Sequence, residues 1–169
     1  MTGIRTEKVC VLGDFAVGKT STVARFVHNE FSDKYLTTVG VKIDIKEVDL
    51  DALGSIKLIL WDIAGTDALD GLQQAYLRGA SAYLLIADGT RKETISNALN
   101  LHRDVQAIHG TLPFVALVNK SDLDSEWEVG EDETTQSREA GVEWLPCSAK
   151  SGENVENAIR SLAAALIRQ

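Results

Sequence analysis

The sequence predicts an α/β fold: a six-stranded, mostly parallel sheet with one antiparallel edge strand and helices on both faces. Short apolar runs alternate with stretches of helical period, the pattern of βα units wound around a parallel sheet. One pair of strand-like runs is joined by a short turn alone, which permits antiparallel pairing and nothing else. The chain is 169 residues long and reads as one domain, residues 1–169, large enough to bury a core without staples.

Taken in order, "KVCVLG" at 8–13 is a buried strand, and a helix follows from Gly18 with Val23, Phe26 and Val27 on one face. "VKIDIKEVDL" and "IKLILW" are the two strands of a hairpin that turns around Gly54. "AYLLIAD" and "PFVALVNK" are further buried strands, separated by a helix over 92–109 that Gly110 and Pro113 end. "VEWLPCSAK" carries the sixth strand, and the closing helix keeps Val155, Ile159, Leu162 and Leu166 at helical period.

Composition narrows the function classes. A formal charge of −8 excludes a general nucleic-acid binder, which needs a basic stripe. No apolar run is long enough for a bilayer, and no signal peptide opens the chain. "MTGIRTEK" lacks a second-position glycine and "AALIRQ" lacks a cysteine, so no membrane anchor is expected. Cys10 and Cys147 sit in apolar runs and read as reduced, buried thiols of a cytoplasmic protein. His28, His102 and His109 show no metal-ligand spacing and read as surface residues.

The chemistry lies where strands end. "GDFAVGKT", 13–20, matches G-x-x-x-x-G-K-[ST] with a strand before it and a helix after, the phosphate loop of the P-loop NTPase fold. Backbone N–H groups of such a loop point at phosphate oxygens, helped by the positive end of the helix. The contact set expected here is Gly13, Asp14, Phe15, Ala16, Val17, Gly18, Lys19, Thr20 and Ser21. Lys19 reaches the β- and γ-phosphates, and the Thr20 hydroxyl ligates Mg2+.

"NKSD", 119–122, selects the base. Guanine alone offers a ring N–H beside an exocyclic amine, and the Asp122 carboxylate accepts both. Asn119 opens the motif, and Lys120 lays its stem along the base with its amine in water. In "SAK", Ser148, Ala149 and Lys150 follow the last strand, with the Ala149 N–H placed for the guanine carbonyl.

With these motifs the chain resembles the Ras superfamily of small GTPases, and within it the Rab branch, from Lys8 to the final helix. "TVGVKI", "WDIAG" and "YLRGA" draw the likeness toward Rab. The resemblance implies Phe31 edge-on to the base, Thr38 on Mg2+ in the GTP state, Asp62 holding a magnesium-bound water, and the Gly65 N–H on the γ-phosphate. Lys19, Thr38, Gly65 and Thr66 occupy the catalytic positions, and the two switch loops order on GTP. Ile43, Trp61 and Tyr76 resemble the triad through which Rab proteins meet effectors, although Ile43 replaces an aromatic; packing beneath the second switch is the alternative for them. The acidic stretch "SEWEVGEDE", 125–133, reads as a solvated loop rather than a docking site.

The departures all concern hydrolysis or anchoring. Thr66 stands where the family carries its water-orienting glutamine, Asp67 where glutamate is usual, and Phe15 where a small residue lies beside the γ-phosphate. The second switch also lacks the usual arginine and phenylalanine, and nothing in the spacing makes Gln73 or Gln74 the substitute amide. The absent lipidation signal implies a trimmed chain or one that works unanchored, as a prokaryotic relative would. The expected function is a guanine-nucleotide switch with slow GTP hydrolysis. The alternative is a GTP-loaded binding module that does not usefully hydrolyse. A P-loop kinase or ATPase is disfavoured by Asp122 and the "SAK" turn.

Overall fold

The computed structural model describes residues 3–34, 38–66 and 68–169. Its elements run β1 (Arg5–Gly13), α1 (Lys19–His28), β2 (Val41–Asp49), β3 (Ser55–Ile63), α2 (Gly71–Tyr76) and β4 (Ala82–Asp88). They continue with α3 (Glu93–His109), β5 (Phe114–Asn119), α4 (Glu131–Glu139), β6 (Trp144–Pro146) and α5 (Val155–Ile167). The six strands form one sheet in the order β2-β3-β1-β4-β5-β6. Only β2 runs antiparallel, pairing with β3 from Val41↔Ile63 to Asp49↔Ser55. The hairpin closes at Gly54, whose φ of 89° suits a glycine, and its carbonyl accepts from Leu50 N–H at 2.8 Å.

Alternation along β1 sorts its side chains to two faces. Val9 and Val11 enter a core that α1 and α5 complete through Val23, Phe26, Ile159, Leu162 and Leu166. Cys10 and Leu12 face the other way, against Ile95, Leu99 and Val105 of α3. β4 is buried at every position, as a central parallel strand must be. β1 lies between β3 and β4: the connection from β1 leads to the β2–β3 side, and the connection from β3 passes back over it to β4. That opens a crevice at the carboxyl ends of the strands, the place where such sheets take ligands.

Two expectations are corrected. His102 is not a surface residue but 4% exposed: it continues the α3 stripe of Ile95, Ala98, Leu99 and Val105. Its Nδ1 meets the Tyr83 hydroxyl at 2.7 Å, and burial holds its pKa below the usual histidine value. His28 is exposed and His109 is half-buried. The acidic stretch is not a plain loop either. Its last three residues, all acidic, form the first turn of α4, where the helix dipole favours negative charge. Trp127 in its middle packs inward and fills the space a side chain on Gly89 would need. Both cysteines are buried free thiols, as expected, with burial pushing each pKa up to about 12.

Candidate functional site

The loop between β1 and α1 is built on backbone that few residues adopt. Gly18 has φ 97°, and a Cβ there would collide with the Asn119 side-chain amide. Ala16 takes φ 63° without being glycine, a local strain of the kind found where backbone must face a ligand. Lys19 is 6% exposed, and its Nζ donates to the Asp14 carbonyl at 3.2 Å. Burial lowers its pKa, opposed by the nearby charges of Asp62 and Asp14. Gly13 and Val17 are buried beneath the loop.

Around this loop stand three residues that sequence reading missed. The Asn97 amide donates to Asp14 Oδ2 at 2.6 Å, and the Arg91 Nη2 donates to the Phe15 carbonyl at 2.6 Å. The buried Asp88 carboxylate at the end of β4 accepts from Arg91 Nε at 3.1 Å and from Lys120 Nζ at 2.7 Å. Burial raises the Asp88 pKa, but the hydrogen bonds from Lys120 and Thr90 outweigh it and hold the carboxyl below its usual range. The position of Asp88 at a strand's carboxyl end was the available signal.

Thr20, Thr38 and Asp62 come together from three segments. The hydroxyls of Thr20 and Thr38 lie 2.5 Å apart, and both donate to Asp62 Oδ2, at 2.6 and 3.2 Å. The other carboxylate oxygen, Oδ1, is buried with no hydrogen-bond partner among the described residues. Burial raises the Asp62 pKa, against the pull of the Thr20 hydroxyl and the Lys19 charge. One orphaned carboxylate oxygen beside two hydroxyls suits Mg2+, which takes few protein oxygens and fills its shell with water and phosphate. Among the described residues no cluster of three His, Cys, Asp or Glu side chains offers a full protein cage.

An open cleft of about 290 Å³ continues from the loop. Ala16, Gly18, Ser21, Phe31, Asn119, Lys120, Asp122, Ala149 and Lys150 line it, all of them expected. Ser32, Asp33, Lys34 and Leu123 also line it and were not. The Asn119 amide bridges two walls, donating to the Val17 carbonyl at 3.0 Å and accepting from the Ala149 N–H at 3.0 Å. Buried Ser148 does not reach the cleft; its hydroxyl orients Asp122 through a 2.7 Å bond to Oδ1. The Lys120 amine is not left in water as expected, because Asp88 and the Ala16 carbonyl, 3.1 Å away, hold it.

A family model described as Ras family matches residues 8–168. The chain belongs to the Ras family. Ras-related protein Rab-7L1 of Rattus norvegicus is 37% identical over 162 residues, covering 92% of this chain and 79% of that protein. Ras-related protein Rab-13 of Canis lupus familiaris is 32% identical over 158 residues, covering 92% and 77%. Ras-related protein Rab-32A of Dictyostelium discoideum is 34% identical over 164 residues, covering 92% and 75%. This Ras-family chain is thus a Rab-like small GTPase, a guanine-nucleotide-binding switch.

In the second switch of this small GTPase, Thr66, Gln73 and Gln74 each bond to nearby backbone. Thr66 Oγ1 donates to the Ala68 carbonyl at 2.5 Å and accepts the Ala68 N–H at 3.2 Å. Gln73 Oε1 accepts the Asp70 N–H at 2.9 Å while Asp70 caps α2, and Gln74 Nε2 donates to the Leu69 carbonyl at 3.3 Å. Gly65 packs on the phosphate loop so tightly that a Cβ would lie 2.6 Å from the Phe15 Cα. Phe15 itself is 54% exposed, and its N–H donates to Asp14 Oδ1 at 2.7 Å. Asp67 lies outside the described residues, as do residues 35–37 of the first switch.

Ile43 pairs across the hairpin with Trp61, and it is 48% exposed on the edge strand. The Trp61 and Tyr76 rings are 6.2 Å apart and half-buried against the core, and Lys8 Nζ sits 3.7 Å from the Trp61 ring centroid. No helix among the described residues is long and apolar enough to cross a membrane.

Proposed function

We propose that this small GTPase hydrolyses GTP slowly, because a threonine stands beside Gly65 in place of an amide that could hold the attacking water. The observation that carries the reading is the closed turn at Thr66. Its hydroxyl is bonded to Ala68, and Gln73 Oε1 and Gln74 Nε2 are tied to backbone at the start of α2. In the reaction a water oxygen bonds to the γ-phosphorus as the bond to the β–γ bridging oxygen breaks, leaving GDP and phosphate. Lys19 draws negative charge from the β- and γ-oxygens, and the loop N–H groups hold the phosphates in line. Gly65 brings the second switch against the loop. Thr20, Thr38 and Asp62 would hold Mg2+, which would supply positive charge at the phosphates.

Asp122, oriented by Ser148, reads the guanine edge, Phe31 closes one rim of the cleft, and Ala149 and Lys150 close the other. The Ala149 N–H, held by Asn119 Oδ1, is shared with the guanine carbonyl. The whole chain, 1–169, acts as a single G domain, a reading supported by the one continuous sheet. The Ile43, Trp61 and Tyr76 surface meets effectors and regulators.

Single-turnover conversion of bound GTP, with Mg2+ present, tests the reading. A slow but measurable rate that stops on chelation of the metal is expected. Conversion as fast as in glutamine-bearing relatives would overturn it. No conversion over many hours would favour the second reading, a GTP-loaded module, for which the same closed turn also speaks.

A further inference from the structure

Helix α1 leaves the phosphate loop at one end and reaches the first switch at the other, and Arg25 stands on its last turn. The chemistry proposed above does not use this residue, and Arg25 does not line the cleft. All three nitrogens of its guanidinium are nonetheless engaged. Nε donates to the Ala149 carbonyl at 2.8 Å, and Nη2 donates to the Lys150 carbonyl at 2.5 Å. Nη1 donates to Asn29 Oδ1 at 3.0 Å. The stem runs beside Gly152, where a Cβ would come 3.7 Å from Arg25 Cδ.

These bonds join two walls that nothing in the local sequence connects. Ala149 and Lys150 form one rim of the cleft. Asn29 is the left-handed C-cap of α1, φ 53°, from which the chain turns to Phe31 on the opposite rim. An ion pair between Lys150 and Asp33, 3.7 Å long, spans the same gap, but both groups are exposed and such pairs contribute little. The planar fork of an arginine matches two adjacent carbonyls and a third acceptor at once; a lysine ammonium does not.

We propose that Arg25 is a positioning residue that fixes the 149–150 turn to the start of the first switch and thereby sets how long guanine nucleotide stays bound. The inference rests on the nucleotide-binding reading of the cleft. Opening of the first switch pulls on Asn29, and Arg25 passes that pull to the turn that faces the base. Release of the base and release of the switch are then one event.

The test loads the full chain with ribose-labelled fluorescent GDP and chases it with excess GDP in Mg2+, for the parent, Arg25→Ala and Arg25→Lys. Release at least ten-fold faster is expected for both variants, with single-turnover GTP hydrolysis within two-fold of the parent. Affinity for GDP relative to 2-aminopurine riboside diphosphate, which lacks the carbonyl oxygen and the ring N–H, should fall several-fold but stay above unity, because Asp122 still reads the ring N–H. Affinity for GDP relative to IDP, which lacks the amine read by Asp122, should hold. A merely structural role would lower both ratios together, and that result overturns the proposal. So does release at the parent's rate from a folded variant, and Arg25→Lys carries the test where Arg25→Ala does not fold. A parent that takes up no GDP overturns the functional reading and this inference with it, whereas normal uptake with unchanged release overturns the inference alone.

Discussion

A glutamine carries its amide on two methylenes, whereas a threonine hydroxyl sits on the β-carbon, and that difference in reach decides the chemistry at Thr66. Restoring the amide alone is not enough, because the turn it enters packs through Gly65 on the backbone of Phe15. In Ras-type enzymes an arginine brought to this place is worth about 10³–10⁵ in rate. At about 1.36 kcal/mol per tenfold, that is roughly 4–7 kcal/mol of barrier. Thr66→Gln should speed single-turnover hydrolysis little, and Phe15→Gly with Thr66→Gln should exceed the product of the single effects. A coupling of about 1 kcal/mol is expected, and strict additivity would mean the two positions do not share a pocket. Asp122→Asn exchanges an acceptor for a donor, so GTP should bind more weakly and XTP relatively better. Competition between labelled GDP and the two triphosphates reads this out, and an unchanged preference would remove Asp122 from base recognition.

At the scale of the element, α2 is six residues long and owes its place to its N-terminus. Asp70 Oδ1 accepts the Leu72 and Gln73 N–H groups, each at 3.0 Å, and Gln73 answers on the Asp70 N–H. Sequence reading missed this capping box in "DGLQ", an aspartate followed three residues later by glutamine. Asp70→Ala should cost about 1 kcal/mol of local stability. Amide exchange at Leu72 and Gln73 should then rise roughly five-fold, since about 1.4 kcal/mol is a factor of ten. The Gln73 and Gln74 bonds run to backbone groups of residues 70 and 69, so they persist in this variant, and its hydrolysis rate should stay at the parent's.

For the whole molecule, nucleotide binds the native state alone. At about 100-fold over the dissociation constant it contributes roughly 2.7 kcal/mol. Each kcal/mol moves the melting temperature of a domain this size by about 2–4 °C, so stripping GDP should lower it by roughly 5–11 °C. Indifference of a stripped preparation to added GDP would sink the functional reading. Acid acts through Asp88, which links β4 to the phosphate loop through Arg91 and Lys120. Its folded-state pKa lies below the unfolded value, so its contribution is complete at neutral pH and is lost as pH falls below about 4. Asp88→Asn should lower stability at pH 7 by about 1–3 kcal/mol, since it leaves Lys120 without its charge partner. The acid limb of a urea-midpoint profile should flatten at the same time. An unchanged limb would assign acid sensitivity to other carboxylates.

The sheet, its antiparallel edge and the motif loops followed from periodicity and spacing alone, because strand burial and phosphate-loop geometry impose local residue patterns. "GDFAVGKT", "NKSD" and "SAK" could be ordered on one edge before any coordinates, since each ends a strand. His102 could have been read as buried from its place on the α3 stripe, but polar identity outweighed periodicity. Asn97, Arg91, Asp88 and Arg25 carry no motif. Their bonds to Asp14, Phe15, Lys120 and Ala149 join residues 32 to 124 positions apart in the chain, apart from the short Asp88–Arg91 step. Only the packing of α1 and α3 onto the sheet brings those groups within hydrogen-bond reach. At Thr66 the missing amide and the local bonds of its neighbours belong to the sequence nearby, but only the tertiary structure set Gly65 against the backbone of Phe15.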